Sequence, residues 1–193
     1  MLKSILFVCA ENRCRSVVAE YFLREIIAKR KDSLNKEIKI TSAGIELTPK
    51  NIQLLAAHGK CWDKLVFGLS PYPYAIESMR RRGIDISKSR SKELTKSMVE
   101  EADLIIVFED SQNEKICSQY PQVKDKIFTL QELVGYDGYL VITDYSFPGA
   151  ISNPETKAFI FPDSFLEGSI TDIQHMLWWG INRILDAMLK INK

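Results

Sequence analysis

Ser4-Ile5-Leu6-Phe7-Val8-Cys9-Ala10-Glu11-Asn12-Arg13-Cys14-Arg15-Ser16 reads as a strand that runs into a tight loop and then a helix. Ser4 to Cys9 is a continuous apolar run, the pattern of a strand buried on both faces of a parallel sheet. From Arg15 to Arg30 the period becomes helical. Ala19, Phe22, Leu23, Ile26 and Ile27 fall on one stripe, and Glu20, Arg24 and Lys31 are expected to face away.

Further along, the alternation continues. Glu37 to Thr41 reads as a strand ending at Ser42-Ala43-Gly44. Tyr74 to Arg82 reads as a helix stopped by Gly83, and Leu94 to Glu101 as another. Asp103 to Phe108 is the clearest central strand, followed by a helix over Gln112 to Gln119 and a short strand over Lys126 to Thr129. A last helix spans about 170 to 191, with Ile170, Ile173, Leu177, Ile181, Ile184 and Met188 on one face. Thr171 and Gln174 resemble its capping box. Alternating strands and helices imply an α/β fold with a parallel sheet and right-handed crossovers, in which ligands bind at the carboxyl ends of strands. Two stretches break the rhythm, at about 46–73 and 135–160. Pro, Gly and aromatic residues accumulate there, although Asn51 to His58 is a candidate short helix.

The whole-chain balance is nearly neutral: Lys plus Arg is 26 against 25 Asp plus Glu, a net charge of +1. This gives no support to a nucleic-acid or membrane-surface partner. The 193 residues fit one domain, 1–193, with a sizeable core and the two stretches as insertions. Four cysteines are too few for a disulfide scaffold. The first apolar run is too short for a signal peptide and no run is long enough to span a bilayer, so a reducing cytoplasm is the expected compartment.

The loop after the first strand carries the chemistry. A cysteine at a strand end is followed six positions later by arginine, then serine, then a helix. Backbone N–H groups that wrap into a helix start converge on an anion, and the helix dipole adds positive charge. Arg15 offers a planar fork for two phosphate oxygens. The same field favours the thiolate of Cys9, and Ser16 is placed to donate to it. The spacing by itself is weak; its position at the strand-to-helix turn makes it specific.

Ile5 to Glu20 resembles the signature of the low-molecular-weight protein tyrosine phosphatases. The resemblance continues in Thr41-Ser-Ala-Gly44, Met79-Arg-Arg-Arg-Gly-Ile-Asp-Ile-Ser87, Glu93-Leu-Thr95 and Glu101 to Phe108. It implies a three-layer fold, a four-stranded parallel sheet flanked by helices. It also implies hydrolysis of phosphomonoesters without metal or other cofactor, through a cysteinyl-phosphate. Cys9 would be the nucleophile and Arg15 the phosphate clamp, with Ala10, Glu11, Asn12, Arg13, Cys14, Ser16 and Ser42 binding phosphate or supporting the loop. A late aspartate would be the general acid: Asp163 in Phe161-Pro-Asp-Ser-Phe165, or its rival Asp144. The implied partners are a phosphotyrosine protein or a small phosphomonoester, with inorganic phosphate as product. Phosphoarginine presents the same group, and the oligomeric state is left open.

Four positions depart from the family's usual form. Glu11 stands where glycine is common, and its carboxylate is expected to point outward, since inward it would repel phosphate. Val17 replaces a proline. Ser89 stands where a histidine often braces the loop through its asparagine and serines. Ser164 replaces the proline after the acid. Cys14 matches a second loop cysteine that the family uses as a reversible disulfide partner; a small packed side chain is the other reading. Two rival functions remain at this level. One is arsenate reduction on the same fold, which needs a further thiol pair; only Cys117 lies near the third strand. The other is a phosphate-binding module without turnover. Trp178-Trp179 is expected to give one core anchor and one partly exposed ring. Some aromatics of the two insertions, among them Trp62, Phe67, Tyr72, Tyr74, Tyr136, Tyr139, Tyr145 and Phe147, are expected to wall the slot above the loop.

Overall fold

The computed structural model describes residues 3–30, 38–45, 67–135, 151–152, 159–160 and 163–190. The candidate helix at 51–58 and the aromatics Trp62, Tyr136, Tyr139, Tyr145 and Phe147 lie outside them.

Four strands form a parallel sheet in the order β2-β1-β3-β4: β1 (Lys3–Cys9), β2 (Ile38–Gly44), β3 (Leu104–Val107) and β4 (Ile127–Thr129). Cys9 is level with Gly44 of β2, and Val8 with Val107 of β3. The connecting helices are α1 (Arg15–Lys29), α2 (Pro73–Arg81), α3 (Lys96–Glu101), α4 (Asp110–Gln119), α5 (Leu130–Val134) and α6 (Asp163–Lys190), with a 3₁₀ turn over Pro121–Lys126. Two short strands, β5 (Ile151–Ser152) and β6 (Phe159–Ile160), pair antiparallel in the second excursion.

The continuous apolar run of β1 is explained by two cores. Ile5, Phe7 and Cys9 pack on one face with Phe22 and Leu23 of α1, Met79 of α2, and Ile170, Ile173 and Leu177 of α6. Leu6 and Val8 pack on the other with Val99 of α3, Ile116 of α4 and Val123. Each such buried side chain contributes about 1.5–3 kcal/mol. The chain leaves β1 for β2 on one side and returns to β3 on the other, so the strand order, not the strand direction, reverses at β1. The crevice at that reversal holds the Cys9 loop.

Three expectations need correction. The last helix begins at Asp163, not near residue 170. Gly168 and Ser169 interrupt the apolar stripe and hid its first two turns. Thr171 and Gln174 are therefore inside the helix and cap nothing; both accept from Arg82 at the end of α2, at 2.8 and 3.1 Å. Trp178 and Trp179 are both exposed, at 66% and 83%. Glu20 does not face solvent but is buried. Among the described residues no helix is long and apolar enough to cross a membrane.

Candidate active site

The loop from Ala10 to Cys14 joins β1 to α1 and closes tightly on β2. A Cβ at Gly44 would stand 2.8 Å from Ala10 O and 2.9 Å from the Glu11 carbonyl carbon, so only glycine lets the strand pass beneath the loop. Asn12 holds φ 55°, a left-handed conformation that asparagine tolerates better than most residues.

Asn12 is fully buried and anchors a chain of hydrogen bonds. Its Oδ1 accepts from the Lys92 amide at 2.9 Å, which fixes the orientation of the side-chain amide. Its Nδ2 then donates to Ser16 Oγ at 2.9 Å and to Ser42 Oγ at 2.8 Å. Ser42 Oγ in turn donates to Glu20 Oε2. Glu20 Oε1 meets Arg24 Nη2 at 2.6 Å, and that nitrogen also donates to Ile40 O at 2.7 Å. An ion-paired carboxylate only accepts, and both Asn12 Nδ2 protons are used as donors. Asn12 and Ser42 thus have fixed donor directions, and Ser16 Oγ, which accepts from Asn12, stands 3.0 Å from Cys9 Sγ with its own proton free to point at the sulfur. Ser89 lies in the turn after α2, bonded through its amide to Ile86 O. Asn12 is braced by Lys92 and, through Ser42, by Glu20.

Arg15, first residue of α1, donates through Nη1 to Oε1 of Glu109, the N-cap of α4 two residues beyond β3. Ser111 Oγ bonds the other Glu109 oxygen at 3.2 Å. The segment that follows the third strand thus holds the guanidinium beside the loop. Cys9 is buried, with 3% of its surface exposed. Cys14 is half-buried, yet its desolvating surroundings push its thiol up to about 11; a hydrogen bond from Tyr74 and the Arg15 charge act against this, and Cys9 adds to it. At pH 8 only about one Cys14 in a thousand is thiolate. Iodoacetamide should therefore leave Cys14 of a Cys9→Ser variant unmodified at pH 8, with alkylation followed by mass spectrometry rising as the pH approaches 11. Ready alkylation at pH 8 would contradict that environment.

Glu11 is held by neighbouring side chains. Its side chain is 11% exposed, its Oε2 accepts from the Tyr72 hydroxyl, and Arg13 Nη1 lies 3.9 Å away. Tyr72 and Tyr74 are stacked at 5.6 Å. Asp163 is the first residue of α6; its rival Asp144 lies outside the described residues. Cys117 Sγ donates to Asn113 Oδ1 at 3.2 Å within α4. Among the described residues no cluster of three or more His, Cys, Asp or Glu side chains could hold a metal ion.

Sequence reasoning brought together Cys9, Asn12, Arg15, Ser16 and Ser42. It missed Glu20, Glu109 and the Tyr72 contact. Glu109 was findable in principle, because β3 is the parallel neighbour of β1 and the residues that follow its end emerge beside the loop.

The family model described as low molecular weight phosphotyrosine protein phosphatase matches residues 4–144. A probable low molecular weight protein-tyrosine-phosphatase, EpsP of Ralstonia nicotianae, is 33% identical over 137 residues, 71% of this chain and 77% of that protein. A protein-arginine-phosphatase of Bacillus subtilis is 31% identical over 130 residues, 67% of this chain and 71% of that protein. Arsenate reductases are also among the similar proteins. The solved low molecular weight protein tyrosine phosphatase from T. tengcongensis superposes with a TM-score of 0.66 at 25% identity, covering 95% of this chain and 98% of that one.

Proposed function

Because the chain belongs to the low molecular weight phosphotyrosine protein phosphatase family, we propose that it hydrolyses phosphomonoesters through Cys9, Arg15 and Asp163. The observation that carries this assignment is the buried hydrogen-bond chain from Asn12 and Ser42 through Ser16 that ends 3.0 Å from Cys9 Sγ. It places a hydroxyl beside the sulfur that forms and breaks the bond to phosphorus.

The Cys9 thiolate attacks phosphorus in line, and the bond from phosphorus to the leaving oxygen breaks as Asp163 gives that oxygen its proton. Arg15 and the amides from Ala10 to Ser16 take up the charge on the three equatorial oxygens. Water then attacks the cysteinyl-phosphate, the Asp163 carboxylate takes its proton, and the S–P bond breaks to return the thiolate and inorganic phosphate. A reduced Cys9 is required throughout, which agrees with a reducing cytoplasm as the place of action.

For the substrate we favour an aryl phosphate, as in phosphotyrosine, because the family model is that of phosphotyrosine protein phosphatases and the aromatic pair Tyr72–Tyr74 lies beside the loop. Arsenate reduction is the weaker reading: it needs two further thiols in exchange range, and the Cys117 proton is directed to Asn113 in its own helix.

The test is hydrolysis of p-nitrophenyl phosphate in the presence of a chelator. Wild type should turn over, and Asp163→Ala should lower kcat by about 10²–10³ while Asp144→Ala changes it little. A large effect of Asp144→Ala with Asp163→Ala nearly silent would reassign the acid. Vanadate binding without any turnover would favour the binding module instead.

A further inference from the structure

A carboxylate within a phosphate-binding loop is an electrostatic conflict, because a substrate dianion must settle onto the same turn of chain. Glu11 is such a carboxylate, and the segment Ser70–Tyr74 is clasped to the loop around it. Arg13 Nε donates to Ser70 O at 2.9 Å, and the Tyr72 amide donates to Arg13 O at 3.0 Å. The Arg13 guanidinium lies 4.0 Å over the Tyr72 ring. The Tyr72 hydroxyl donates to Glu11 Oε2, with Arg13 Nη1 3.9 Å from the same oxygen.

From this clasp we infer that Tyr72 is a positioning residue for phosphate binding: its hydroxyl holds the Glu11 carboxylate away from the phosphate seat. The inference rests on the phosphatase reading above. Tyrosine meets the demand because its ring forms the stacking surface for Arg13 while its hydroxyl reaches the acid. A phenylalanine keeps the ring and the cation–π contact but frees the carboxylate. The Glu11 charge then acts on the bound dianion at short range in a poorly solvated site. It opposes phosphate in the substrate complex and in the transition state alike, so the cost falls on binding and not on the chemical step.

The experiment is a double-mutant cycle with p-nitrophenyl phosphate as substrate and inorganic phosphate as competitive inhibitor. Tyr72→Phe should raise KM and the phosphate inhibition constant by about fivefold, with kcat within about twofold of wild type. Glu11→Gln alone should lower both constants by up to about twofold, since the held carboxylate still repels the dianion from a distance. Adding Glu11→Gln to Tyr72→Phe should restore them, because the amide carries no charge to hold away. An unchanged KM in Tyr72→Phe, or a defect undiminished in the double variant, overturns the inference. Should Tyr72→Phe fail to fold, a rise in KM for Glu11→Gln alone would overturn it, since that means the carboxylate helps binding. Absence of wild-type turnover, by contrast, refutes the phosphatase reading and not the clasp, which direct phosphate titration of the same four proteins by calorimetry still reads out.

Discussion

Cys9→Ser is expected to lower p-nitrophenyl phosphate turnover by about 10⁴-fold or more while phosphate binding survives. The physical reason lies in the nucleophile. Cys9 Sγ is the attacking atom, and the Ser16 hydroxyl stands 3.0 Å from it. A serine in that position stays a neutral alcohol at any pH at which the protein is folded, and a single donor does not ionise it. The groups that bind phosphate, by contrast, are Arg15 and the loop amides, and the substitution leaves them in place. The effect therefore falls on kcat, with KM or the phosphate inhibition constant within about tenfold of wild type. Steady-state kinetics with phosphate titration checks this. Turnover surviving in Cys9→Ser would end the cysteinyl-phosphate mechanism.

Arg15→Lys should be nearly as damaging, about 10³-fold in kcat/KM, although the charge is kept. Arg15 is tied to Glu109 through Nη1, and Glu109 is held in turn by Ser111 at 3.2 Å. A planar guanidinium bonds a carboxylate on one edge and spans two phosphate oxygens on another. A lysine ammonium has no such fork, so engaging Glu109 and two equatorial oxygens together is beyond its geometry. The loss should appear mostly in kcat, because the equatorial oxygens carry their charge most fully in the transition state. A variant within about tenfold of wild type would show that charge alone suffices and that the fork is incidental.

What the sequence made legible was whatever is local. The apolar run from Ile5 to Cys9, the stripe of α1 and the strand Leu104–Val107 each announce themselves within ten residues, and with them the parallel sheet and the place of the loop. Cys9, Arg15 and Ser16 follow because strand, loop and helix are contiguous. The supporting groups were hidden because their partners are remote in the chain: Ser42 is 22 residues from Glu20, Tyr72 is 61 from Glu11, and Glu109 is 94 from Arg15. Periodicity put Glu20 on the polar side of α1, and nothing in α1 reveals that a serine of β2 and Arg24 satisfy it there. Glu11 was judged from its charge alone, which asks for distance from phosphate but not for the tyrosine that provides it. The last helix was read short because its apolar stripe begins only at Ile170, two turns after its backbone does.

Gly44 has one more consequence. Its amide donates to Lys92 O at 2.7 Å and its carbonyl accepts from Leu94 N at 2.8 Å. Farther on, Gly68 N donates to Ser91 O at 2.7 Å, and Ser91 N returns a bond to Leu69 O at 2.9 Å. The chain thus departs before residue 46 and comes back after residue 66 over one strip, Ser91–Leu94. The two crossings are thereby fixed side by side on that strip. Doubling the length of chain between them would add only about 0.6 kcal/mol of closure entropy. An insertion between residues 45 and 67 should therefore cost little stability, since both anchors lie outside it.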